Sequence, residues 1–243
     1  MPTKLLAAVA VVILLFGLGA SGLLNTGTQK KDNVGWEEKR SLEELENRSL
    51  KAIARRMKAE GKGKATIPGY RVDYPGMEMT LDEAVRDYSV VVGELIESKG
   101  YSSNSYGIRT WYRFKITDPI SEKHADFCPA CPEPPEIPED FSHPGPDEIV
   151  LATGGGVLNV DGVELTMINN PLLKFENGKK YVLVVSIAPS RVDLLGAGPA
   201  GVLRVDENER LEAIDKGSWP MHAEILQRFS GNLNRLKTHI NSR

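Results

Sequence analysis

Residues 5–24 form one uninterrupted apolar run, from Leu5 to Leu24, without a charged side chain. As a helix rising about 1.5 Å per residue, the run reaches roughly 30 Å, the thickness of a bilayer's hydrocarbon core. Two outcomes fit it. Lys4, an apolar stretch and then Gly17, Gly19, Ala20, Ser21 and Gly22 follow the order of a cleaved signal peptide. Leu23 and Leu24 extend the run to spanning length, as an uncleaved anchor requires. Lys30 and Lys31 beyond it nearly balance Lys4 and the amino terminus. No cysteine follows at a lipoprotein-type attachment position. Residues 1–24 are therefore expected to be a signal peptide or transmembrane anchor, with the remainder outside the cytoplasm in either case.

Beyond a polar stretch the period changes. Ser41-Leu-Glu-Glu44 reads as a capping box, and Leu42, Leu45, Leu50, Ile53 and Met57 share one stripe at helical spacing. Acids crowd the start (Glu43, Glu44, Glu46) and bases the end (Lys51, Arg55, Arg56, Lys58), matching the helix dipole. Gly61 ends this helix, and residues 61–65 are expected to be a flexible joint. Residues 25–68 thus read as a polar linker and charged stalk or packing helix.

From residue 70 to 214 the pattern is that of strands. Thr80 caps a short helix over 81–86, and 88–96 is rich in β-branched residues. The stretch 108–116 sets Trp111, Arg113 and Lys115 against Tyr112, Phe114 and Ile116, a half-buried strand. Strands over 148–152, 157–160, 163–168, 181–187, 191–195 and 201–205 follow, with a short one at 211–214. Asp161-Gly162 is a tight-hairpin signal. Short strands without βαβ spacing indicate a sandwich or small barrel. Residues 216–243 read as one amphipathic helix carrying Leu226, Phe229, Leu233, Leu236 and Ile240 on one face, with His222 beside it as a packed residue. Its basic side (Arg228, Arg235, Lys237) would suit a membrane surface, although covering an open barrel end is the simpler role.

Composition narrows the role. Net charge is −3, without the basic excess of a nucleic-acid binder. With only two cysteines, the fold must rest on an apolar core.

The strand region resembles netrin-like domains, the group that contains tissue inhibitors of metalloproteinases. The resemblance spans about residues 80–205. It is carried by Glu83-Ala-Val-Arg-Asp-Tyr-Ser-Val-Val-Val-Gly-Glu-Leu-Ile, Tyr112-Arg-Phe-Lys-Ile, Glu148-Ile-Val-Leu-Ala-Thr-Gly-Gly-Gly and Phe175-Glu-Asn-Gly-Lys-Lys-Tyr-Val-Leu-Val-Val. It implies an OB-like β-barrel over residues 69–215. The chain lacks the amino-terminal cysteine and the disulfides of those inhibitors, so protease inhibition is not implied. OB barrels bind varied partners on one face, and the fold alone does not choose among them.

The chemically suggestive stretch is the Pro-rich loop 120–146, with His124, Cys128, Cys131 and His143. Outside the cytoplasm, a Cys128–Cys131 disulfide is the leading expectation. Zinc held by His124, Cys128, Cys131 and His143 is the second, although the histidine spacing matches no standard motif. Thiol–disulfide exchange is the third, disfavoured by Pro129, Pro132, Pro134 and Pro135, which forbid the helix that would activate Cys128. Gly154-Gly-Gly156 and the glycines of 196–201 lack the context of phosphate or dinucleotide loops. The sequence therefore predicts a mainly β protein: an OB-like barrel, flanking helices and an amino-terminal membrane segment. Its expected role is a non-enzymatic binding module of the cell envelope. It would need no cofactor, would meet the membrane through residues 5–24 and a protein partner beyond it, and would not bind nucleic acid. The alternative is a thiol or zinc function of Cys128 and Cys131.

Overall fold

The structure, a computed structural model, describes residues 47–71, 78–103, 107–122, 136–170, 173–186, 194–195, 198–214 and 219–242. The apolar run 5–24 and the Ser41 capping box lie outside them. No helix among the described residues is long and apolar enough to cross a membrane. The chain divides between Arg48 and Ser49 into two compact units, and all that follows concerns the second.

Helix α1 spans Leu50–Ala59. The helix expected from residue 41 is interrupted at Ser49, which is not helical; its hydroxyl accepts the Ala52 N–H at 3.2 Å and caps a new helix. At the other end the Lys62 N–H returns to the Met57 carbonyl at 2.8 Å, closing the helix at Gly61. Residues 64 and 65 are not a joint. They open strand β1 (Lys64–Arg71), which runs parallel to β6 (Val163–Asn170). Pro68 is tolerated there because β1 is the outer strand of its sheet, where a missing N–H leaves no ladder bond unmade.

Thr80 caps α2 (Leu81–Asp87), as the sequence predicts, and Glu83 returns the bond to the Thr80 N–H, completing a capping box. Strands β2 (Ser89–Ser102) and β3 (Ile108–Ser121) then form a long antiparallel hairpin. Next come β4 (Glu148–Gly154), β5 (Gly156–Val160), β7 (Lys180–Ser186), β8 (Leu194–Leu195), β9 (Val202–Val205) and β10 (Leu211–Ala213). The β5–β6 hairpin turns on Asp161 (φ 52°) and Gly162 (φ 85°), the left-handed pair that such a turn requires.

These strands make two sheets. The small one runs β1-β6-β5, and the large one β10-β9-β7-β2-β3-β4, with β8 beside β7. The protein is mainly β, but the expected closed barrel is not formed among the described strands. At Gly154–Gly156 the chain leaves the large sheet for the small one, so β4 remains an edge; β8 lies next to it without a ladder joining them.

Both faces of the large sheet are buried, which is why β2 reads as an unbroken Val90-Val91-Val92 run instead of alternating. One face, through Val91, Leu95, Phe114, Ile149, Leu151, Tyr181 and Leu183, packs with Leu173 and Phe175. There the Phe175 ring stands edge-on to Phe114 at 5.2 Å and to Tyr181 at 5.0 Å. The other face, through Val90, Val92, Val182, Val184 and Leu203, is covered by α2 and two carboxy-terminal helices.

Those two helices replace the single one expected: α3 (Pro220–Arg228) and α4 (Leu233–Asn241). Ser230 (φ 54°) and Gly231 (φ 62°) break them apart, and Asn232 caps α4 by accepting the Arg235 N–H. The apolar stripe divides accordingly. Phe229, Leu233, Leu236 and Ile240 are buried, while Leu226 turns outward; His222 is buried on α3. A second, smaller core lies between α1 and the small sheet, built from Leu50, Ala54, Ile67, Val163, Leu165 and Met167. Of the two roles expected for this helix, stalk or packing helix, the described part takes the second and packs against that sheet.

Candidate functional site

Of the four loop residues singled out by sequence, only His143 falls among the described residues, and its side chain is exposed. His124, Cys128 and Cys131 lie outside them, so the disulfide and zinc expectations rest on the sequence. Among the described residues no group of three or more His, Cys, Asp or Glu side chains is placed to hold a metal ion.

The described end of this loop is fastened down. Phe141 is 1% exposed, wedged against Trp111 and Val150. Lys99 Nζ meets Asp140 Oδ2 at 2.6 Å, and the Gly145 N–H donates to Glu148 Oε2 at 2.9 Å. This cover explains why Trp111 is buried although it faces away from Tyr112 and Phe114. Two positions along the same face, Arg113 joins two carboxylates at 2.9 Å each, Glu97 through Nη2 and Glu148 through Nη1. Burial pushes the Glu148 carboxyl up, but the Gly145 amide and the Arg113 guanidinium outweigh it and hold the group below its ordinary value. The triple ties β2, β3 and β4 together and is structural.

An opening lies where the other face of the sheet meets α4. It is a groove of about 770 Å³ with four walls. The first is the end of the β2–β3 hairpin, where a register shift between Val92 and Gly93 leaves Thr117 free to donate its hydroxyl to the Val92 carbonyl at 3.2 Å. The second is the turn entering β7, where the Gly178 N–H donates to the Leu95 carbonyl at 2.7 Å and sets Lys179 and Lys180. The third is the β9–β10 turn, shaped by Asp206, whose Oδ1 accepts the N–H groups of Asn208 at 2.8 Å and Arg210 at 2.7 Å. The fourth is α4, tied to that turn by the Leu233 N–H on the Glu209 carbonyl and to the sheet by the Lys237–Asp118 ion pair.

Charges line this groove in both signs: Lys179, Lys180, Arg204 and Lys237 against Asp118, Asp206, Glu207 and Glu209. Several are already engaged. Arg204 meets Glu212 at 2.6 Å and Glu176 at 3.6 Å, and the Glu212 carboxylate raises its pKa further. Glu209 accepts from the Asn234 amide. Lys179, Lys180 and Glu207 are exposed and form no ion pair among the described residues. Val92, Val205 and Leu233 contribute apolar surface beneath them. With amines, a guanidinium, carboxylates, amides and the Thr117 hydroxyl above apolar side chains, the groove is suited to recognising charge and shape.

Lys179 and Lys180 lie in the Phe175-Glu-Asn-Gly-Lys-Lys stretch that carries the netrin-like resemblance, and nothing in that resemblance points to them as a site. The available signal was adjacency: two like charges directly after a turn glycine.

Compared with known proteins, the chain matches no family model, no curated protein and no solved structure.

Proposed function

We propose that this chain is a non-catalytic binding module of the cell envelope, carried outside the cytoplasm by residues 5–24, whose partner occupies the groove between the large sheet and α4. The observation that supports this reading most is the construction of that groove. Four separate elements are pinned around an open space, by the Asp206 turn, the Gly178–Leu95 bond, the Leu233–Glu209 bond and the Lys237–Asp118 pair. Charged ends are left pointing out of it. A surface fixed before binding loses less conformational entropy when a partner arrives. The netrin-like motifs add the expectation of an OB-type scaffold, on which such surfaces commonly sit.

The location is tested by adding protease to intact cells that express the full chain and following a tag at its carboxy terminus. Loss of the tag without lysis is expected. A tag that survives until the cells are broken would overturn the reading.

A further inference from the structure

We infer that the groove takes an extended polypeptide segment carrying charges of both signs, with acidic side chains against Lys179 and Lys180 and a basic one against Glu207. This inference rests on the binding-module reading and adds the class of partner. Four classes fit the walls less well. A nucleic acid or an anionic lipid surface needs a continuous basic track. Here Asp118, Asp206, Glu207 and Glu209 interrupt the lysines, and the four bases of the groove are matched by four acids. A polycation would meet Lys179 and Lys180, which form no ion pair among the described residues. Small-molecule sites are mostly apolar and enclose their ligand; this one is open and lined by charge. A polypeptide of mixed charge matches what is left unpaired. Its carboxylates would neutralise the lysine pair at the β7 entry, its cation would meet the β9–β10 turn, and its backbone would cross the apolar floor at Val92, Val205 and Leu233. Complementary charges of this kind set register and association rate.

The partition of charges supports the same partner. Lys237–Asp118 and Arg204–Glu212 hold the walls together, so they are not available to a ligand without weakening the site. The side chains of Lys179, Lys180 and Glu207 form no ion pair among the described residues, so they can be exchanged while the backbone bonds at Lys179 stay in place.

The test is fluorescence anisotropy with the full chain in detergent. The labelled probes are a peptide with a glutamate block followed by a lysine block, all-glutamate and all-lysine peptides, and a single-stranded oligonucleotide; co-sedimentation with anionic phospholipid vesicles completes the set. The block peptide is expected to bind saturably and more tightly than every other probe. The double variant Lys179→Glu, Lys180→Glu is expected to weaken it by about tenfold or more, and added salt to weaken it further. Val157→Glu, on the small sheet, leaves binding unchanged. Absence of saturable block-peptide binding would overturn the inference. So would equal or tighter binding of any other probe, or a double variant that melts normally and binds like the parent. None of these outcomes bears on the location outside the cytoplasm, which the protease experiment decides separately.

Discussion

Gly100 stands where the two sheets cross. A methyl group there would lie 2.0 Å from the Val157 carbonyl oxygen of β5, a backbone atom that cannot swing aside. Gly156, at φ 120°, is closed in a second way, since its Cβ would meet Thr110 Oγ1 at 1.8 Å, and that hydroxyl already donates to the Gly155 carbonyl. Gly100→Ala and Gly156→Ala should each cost about 2–4 kcal/mol in urea unfolding, because one strand must be pushed off another. Gly63→Ala, with no atom within 4 Å of the added methyl and no left-handed φ, should be neutral or slightly stabilising. Equal costs at all three positions would refute the crossing as the cause. Glu148 gives a prediction in pH. Its folded pKa lies below the unfolded value of about 4.3, so its contribution is present above that pH and is lost as pH falls through the folded value. Glu148→Gln should therefore lose less stability than the parent between about pH 6 and about pH 3. Parallel slopes for the two proteins would show that the Gly145 amide and the Arg113 guanidinium do not stabilise the ionised form.

Single elements were legible wherever the signal was local. The Thr80 cap, the Asp161-Gly162 turn and the β2 valine run each carry their reason within a few residues. Elements that depend on distant partners were not. Strand β1 exists because residues 163–170 offer it a ladder, and its Lys64–Glu164 pair joins positions 100 residues apart. Nor does periodicity reveal the α3–α4 break, because the apolar stripe continues through it; only Ser230 and Gly231 mark the place. Trp111 was read as lying on the exposed side of β3, since nothing near it in sequence says that the loop end 136–147 returns to cover it. That cover can be tested directly. Phe141→Ala removes the wedge and should cost about 3 kcal/mol in unfolding experiments. It should also shift tryptophan emission to the red as Trp111, now 2% exposed, meets water. Lys99→Ala removes the Asp140 pair and the cation's contact with the Tyr101 ring but keeps Phe141 in place, and it should leave the emission where it is. An unshifted spectrum in Phe141→Ala would mean that the loop is held by something other than this ring.

For the molecule as a whole, the sequence conveyed a mainly β chain with helices at both ends, and it placed most strands to within a few residues. It did not convey how the strands divide. An apolar strand has the same pattern whether its sheet closes or passes its chain to a second sheet, and that choice was made at Gly154–Gly156. The candidate site was the less legible part for a related reason. Its residues lie at 92, 117–118, 178–180, 204–209 and 233–237, and only the assembled fold makes them neighbours. The division at Arg48/Ser49 makes a last prediction. Leu50 and Ala54 of α1 are buried against Ile67, Val163, Leu165 and Met167, which makes α1 part of the core of the second unit. A chain starting at Ser49 should therefore unfold in a single calorimetric transition with the parent's midpoint for that unit. A chain starting at Lys64 lacks α1 and uncovers one face of the small sheet, so it should melt lower and bind a hydrophobic dye such as ANS. If the Lys64 start melts like the Ser49 start, the helix is only laid on the sheet; if the Ser49 start already melts lower, the unit extends further towards the amino terminus than its contacts imply.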